Sequence, residues 1–153
     1  MQHLRTSLSG ATLRLGLILS ALLLSAPLVA GEEAAVSPTD LVEQAAQLSE
    51  DPENLRDRGA EIVDLLNQAL TRDNKLIEAY FNLALYYHHT GDEAKARENL
   101  EKVFQLDPEY PSGRALKGVQ MLAKGMSAEA RAEFDAALSA DPYNPIANNQ
   151  LAE

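Results

Sequence analysis

Residues 85–96, LYYHHTGDEAKA, hold two tyrosines, two adjacent histidines and two acids within twelve positions. Imidazoles and carboxylates this close are the material of a metal centre or of acid–base catalysis. Their spacing argues against both. Neighbouring residues on a helix diverge by roughly 100°. His88 and His89 therefore do not grip one ion as an i, i+4 pair does. They read instead as the polar end of a helix, where a protonated histidine is mildly favoured. No Gly-x-Ser-x-Gly, phosphate-cradling glycine loop or His-Glu-x-x-His occurs in the chain. There is no cysteine, hence no thiolate nucleophile, thiolate metal site or disulfide. The many acids fit solvated helix faces. The expectation is no enzyme, no metal and no cofactor, with an exported hydrolase or metal carrier as a third reading.

Charge narrows the partners. The chain has 153 residues, 13 basic and 23 acidic. An acidic surface does not suit nucleic acid or anionic lipid. The first thirty residues stand apart. Arg5 and Arg14 are their only charges besides the histidine at position 3, and residues 15–30 read LGLILSALLLSAPLVA. A basic start, a short apolar run and a small final residue predict a signal peptide over 1–30, cut after Ala30. The alternative is an uncleaved anchor, although these sixteen residues fall short of the roughly 20 a spanning helix prefers. No cysteine follows the run, so a lipoprotein is excluded. Residues 31–38 read as a flexible leader punctuated by Pro38. The expected location is the bacterial periplasm, or else a membrane anchored through 15–30, or secretion.

The remainder must position any binding residues, and it repeats itself. QLDPEY at 105–110 returns as SADPYN at 139–144, with Pro108 and Pro142 separated by 34 residues. Ala96, Leu100 and Val103 before the first proline match Ala130, Phe134 and Ala137 before the second. Each unit reads as two helices. Tyr80, Leu83, Ala84 and Tyr87 fall on one helical face. Thr90-Gly91 breaks that helix, and Asp92 is placed to cap the next, which runs to about Leu106. Asp107-Pro108 ends it. The next unit predicts helices near 112–124 and 127–140 around Gly125.

These residues resemble the tetratricopeptide repeat family. The first repeat supplies Tyr80, Leu83, Ala84, Tyr87, Ala96, Leu100, Val103 and Pro108. The second supplies Gly118, Met121, Ala130, Phe134, Ala137 and Pro142, but carries Arg114 and Lys117 at the first two positions. Its first helix is therefore expected to pack less tightly. Ile62, Leu66 and Ala69 resemble the second helix of an earlier repeat, and Leu41, Ala45 and Leu48 share a face on a helix over about 39–49. The expected organisation is a degenerate helix pair over 39–76, repeats over 77–110 and 111–144, and an incomplete repeat over 145–153. The fold class is all-α, a short right-handed α-solenoid of antiparallel helix pairs.

The resemblance implies a concave groove lined by the first helix of each pair, commonly used for peptides. The matching positions are Glu78, Phe81, Asn82, Leu85 and His89 in one repeat. Ser112, Ala115, Leu116, Val119 and Leu122 match in the next. Asn82 stands where relatives often hold a peptide backbone, but Phe81 replaces the lysine that would clamp a terminal carboxylate. Phe81 and Leu85 could instead pack against the N-terminal helices and close the groove. The expected role is an exported adaptor or scaffold that binds a segment of another protein. The alternative is a structural module that stacks on itself or a partner through its last full helix, where Phe134 and Leu138 face an incomplete neighbour. Nucleic acid is not expected as a partner, and a membrane only if the signal segment stays.

Overall fold

Three aspartates spaced 34 residues apart, Asp73, Asp107 and Asp141, punctuate the chain. Each follows a helix and sends its own N–H back to a carbonyl of that helix, at Ala69, Val103 and Ala137, over 2.8 Å. Each carboxylate then accepts the N–H two residues on, from Lys75, Glu109 and Tyr143 at 2.9, 2.9 and 3.1 Å. An aspartate that hydrogen-bonds its own backbone in this way sets a tight turn. The computed structural model describes residues 36–151. The expected signal peptide, most of the leader and Ala152 lie outside them.

All regular structure among the described residues is helical. The helices are α1 (Pro38–Ser49), α2 (Pro52–Asp57), α3 (Gly59–Arg72), α4 (Ile77–Thr90), α5 (Glu93–Leu106), α6 (Pro111–Ala123), α7 (Ser127–Ala140) and α8 (Pro145–Leu151). From α3 onward the period is strict. α3, α5 and α7 begin and end 34 residues apart, and α4, α6 and α8 begin 34 apart. This is the all-α helix-pair fold expected from the repeat.

Equivalent residues make equivalent cores. Ile62, Leu66 and Ala69 on α3 are buried, as are Ala96, Leu100 and Val103 on α5, and Ala130, Phe134 and Ala137 on α7. Three apolar clusters result. One joins α1, α3 and α4 around Leu41, Ile62, Leu66 and Leu83. A second joins α4, α5 and α6 around Ala84, Leu100, Val103 and Leu116. The third joins α6, α7 and α8 around Ala115, Phe134 and Ala147. Each buried Leu, Ile or Phe contributes about 1.5–3 kcal/mol relative to exposure.

The helix ends follow the side chains. Asp92 caps α5, its carboxylate accepting the Lys95 N–H at 3.2 Å. Gly91 ends α4 with φ 81°, and Gly125 follows α6 with φ 77°, backbone that costs a residue with a Cβ. Ser37 and Asp40 cap α1 reciprocally at 3.1 and 3.0 Å.

Two expectations change. The segment 39–76 holds three helices rather than a pair. Asp51 before Pro52 is extended, so α1 stops and α2 starts as a separate turn. The helix with Arg114 and Lys117 also does not loosen on all sides. α6 lies close to α7, where Gly118 meets Phe134; a Cβ there would stand 2.5 Å from the ring. Arg114 and Lys117 both reach the half-buried Glu133 of α7, at 3.2 and 2.6 Å, and Arg114 also holds Glu109 at 2.7 Å. The looseness falls on the other flank, against α5.

Candidate partner-binding clefts

The segment that opens the chemical question is mostly helix end and turn. Tyr87 packs on the first core cluster, edge-on to Tyr86 at 5.3 Å between centroids, with Lys95 Nζ 4.9 Å from its ring centre. His88 Nδ1 lies 3.1 Å from Glu93 Oε1 and bridges the two helices of the repeat when protonated. The His88 and His89 rings are 6.0 Å apart and tilted. Partial loss of water around its ring, and then the charge of His88, lowers the pKa of His89 below the usual imidazole value. Among the described residues no three His, Cys, Asp or Glu side chains gather as metal ligands.

The ten groove positions divide. Leu85 and His89 of α4 and Leu116 and Val119 of α6 line one cleft of about 190 Å³, closed on its far side by Ile146, Asn149 and Gln150 of α8. Asn82 sits in a smaller recess of about 60 Å³ with Leu85 and His89, beside Ser49 of α1 and Leu55 of α2. Its amide Nδ2 donates to the Glu78 carbonyl at 2.8 Å, within its own helix. Leu85 thus lines both the cleft and the recess beside the N-terminal helices.

Phe81 lies elsewhere. It packs edge-to-face on Tyr110 at 5.7 Å, as part of the second core cluster. Burial, then the charges of Glu78 and Asp107, raises the Tyr110 pKa. Ser112 and Ala115 are covered by residues 144–147. Ala115 belongs to the third core cluster, and Ser112 Oγ accepts from Asn144 Nδ2 at 3.1 Å. Asn144 is fully buried, and its Oδ1 also accepts the Ala147 N–H at 3.1 Å, capping α8. Leu122 is exposed on α6 away from the cleft, and Glu78 is exposed on α4. Asn144 was not singled out by its sequence, although it sits between Pro142 and Pro145 at a helix start, where asparagine is a favoured cap.

A second apolar cleft, also missed, separates α5 from α6. Its volume is about 220 Å³, with Leu100, Phe104 and Met121 as its floor. The signal for it was Lys117, standing where the repeat pattern asks for leucine.

Residues 77–110 match the tetratricopeptide repeat family. The match covers one helix pair, α4 with α5. No curated protein sequence matches the chain. Among solved structures, the chain is similar to the crystal structure of MamA, at 24% identity and a TM-score of 0.54, over 68% of this chain and 58% of that one. At that identity the likeness carries the fold. The chain spans little more than half of the MamA structure. Tetratricopeptide repeats generally bind other proteins or peptides.

Proposed function

We propose that this chain is an adaptor that holds a segment of a partner protein in the cleft between α4, α6 and α8. One observation carries the reading. Leu85, Leu116 and Val119 present a mostly apolar surface at the seam of successive repeats, edged by His88, His89, Asn149 and Gln150. An apolar trough with a polar rim is the anatomy of a peptide-binding surface. The groove is shorter than the ten sequence positions suggest, because α8 roofs one end and α2 crowds the other. Its occupant is accordingly short, a few residues around one or two apolar side chains. Nothing basic lines this cleft beyond the two histidines, so a carboxylate clamp is not part of the reading.

Location is part of the proposal. The basic, then apolar, N-terminal sequence supports export, with the periplasm as the site of action. Fractionation of a C-terminally tagged chain, with protease added to intact and opened cells, checks it; a tag degraded only after inner-membrane lysis would refute export.

The adaptor reading is tested by in-cell crosslinking and capture of the tagged chain beside a Val119→Glu variant of unchanged helicity. A partner captured by the native chain and lost with Val119→Glu supports it. A partner captured equally by both removes the cleft from the account. A second reading, self-stacking or partner-stacking, draws on Tyr143, which is 89% exposed at the turn between α7 and α8, and on exposed Leu151. Phe134 does not contribute to it, being buried under α6 and α8. Light scattering separates the two, since stacking requires a mass that rises with concentration and falls back with Tyr143→Lys.

A further inference from the structure

The cleft between α5 and α6 exists because one repeat leaves unfilled what the previous repeat fills. Between α3 and α4, the space is occupied by Leu83, Tyr86 and Tyr87, all packed on the first core cluster, with the Tyr86 hydroxyl seated against Gly59. The residues 34 positions later are Lys117, Gln120 and Met121. Lys117 lines the cleft but reaches on to Glu133 of α7 at 2.6 Å, its ammonium 5.8 Å from the Phe104 ring centre. Gln120 and Met121 then replace two aromatic rings. The result is the apolar cleft of about 220 Å³, smaller than the ~300–1,000 Å³ of pockets for whole small molecules. It has room for one large side chain.

The polar groups around it are not neutral in sign. The walls run antiparallel, with Arg97, Leu100, Glu101 and Phe104 on α5 facing Lys124, Met121, Gln120 and Lys117 on α6. Arg97 and Lys124 stand at one end and make no ion pair among the described residues. Glu101 is the acid of the lining. This basic mouth lies on a chain whose net charge is −10. Gln120 is 8% exposed, and its amide Nε2 is buried with no hydrogen-bond partner. A buried donor left unpaired is costly, and in native proteins it is the exception.

We infer that the α5–α6 cleft is a second docking site, taking an acidic segment of a partner protein with one large apolar side chain as its anchor. The anchor occupies the volume that Tyr86 and Tyr87 fill one repeat earlier. The segment's flanking aspartates or glutamates pair with Arg97 and Lys124. The site lies on the opposite flank of α6 from the cleft lined by Leu116 and Val119, so the two can be occupied together. Overall charge repels an acidic peptide from this protein, so binding of such a peptide reports the local basic mouth.

The test uses the full chain and a fluorescein-labelled octapeptide of alternating leucine and aspartate, read by anisotropy. A second peptide carries alanine for leucine, and a third carries lysine for aspartate. The expected result is saturable binding of the first peptide alone. Arg97→Glu with Lys124→Glu, both on the exposed surface, should weaken it at least tenfold. Val119→Glu should leave it unchanged. No binding at millimolar peptide, equal binding of the lysine or alanine peptide, or loss with Val119→Glu but not with the Arg97 and Lys124 variant would each overturn the proposal.

Discussion

Gly118 shows how one atom decides a helix interface. Its missing Cβ lets the Phe134 ring lie against α6. In an isolated helix, Gly118→Ala would gain about 0.5–1 kcal/mol. Against the ring, overpacking costs about 1–3 kcal/mol. Urea denaturation should therefore find Gly118→Ala less stable by up to about 2.5 kcal/mol, the sum of these opposing effects. His89 gives a pH signature. Its folded pKa is lowered, mainly by burial, so the unfolded chain takes up the proton more readily. The stability it allows is full above the ordinary 6.5 and is lost as pH falls below that toward the lowered value. Thermal melts between pH 7.5 and 5 should show this loss in the native chain and a smaller one in His89→Gln. Asp40 and Asp92 are lowered too, the first by hydrogen bonds to Ser37 and the second by those to Lys95. Their contribution is present above 3.8 and disappears only as pH falls through their lowered values, so the two acid limbs are separable.

At the scale of helices, α8 depends on a single buried side chain. Asn144 caps it and ties it to Ser112 of α6. Asn144→Ala should cost about 1–2 kcal/mol, the worth of a cap with its hydrogen bond. Hydrogen exchange should localise the effect, with amides of 145–151 deprotected while those of α4 and α5 are unchanged. Most helix bounds were legible beforehand. Proline after aspartate and glycine after threonine are strong stops, and they located the bounds of α4 through α7 within about a residue or two. Asp73 sets the same turn with Asn74 in place of proline, so its equivalence to Asp107 and Asp141 was fainter. α2 was hidden because Pro52 lies within a polar run with no apolar period to mark a helix. Of the ten candidate groove positions, Leu85, His89, Leu116 and Val119 line one cleft. Ser112 and Ala115 are closed off by residues 144–147, a contact between parts of the chain that no local pattern reveals. Lys117 was read as a general weakness. Its long side chain instead reaches an acid on α7 and leaves the gap on the side of α5.

At the scale of the whole array, each core cluster joins only neighbouring helices. Stability is then close to a sum of units and the seams between them. The seams are unequal. α6–α7 is knit by Gly118, Phe134 and the Glu133 ion pairs, while α5–α6 is held around Val103, Leu116 and Tyr110 with a gap beside them. A chemical denaturant should expose this. Fragment 77–110 alone should be largely unfolded by circular dichroism, and the described array 36–151 should retain its helix.

The strict recurrence of Asp73, Asp107 and Asp141 also makes the molecule a ruler under load. Pulled from its two ends, a chain built of consecutive units peels one unit at a time rather than rupturing at once. Each unit that lets go releases 34 residues, so the force trace should show a sawtooth whose teeth are spaced by about 115 Å of extended chain. The tooth that opens the seam between α5 and α6 should need the least force.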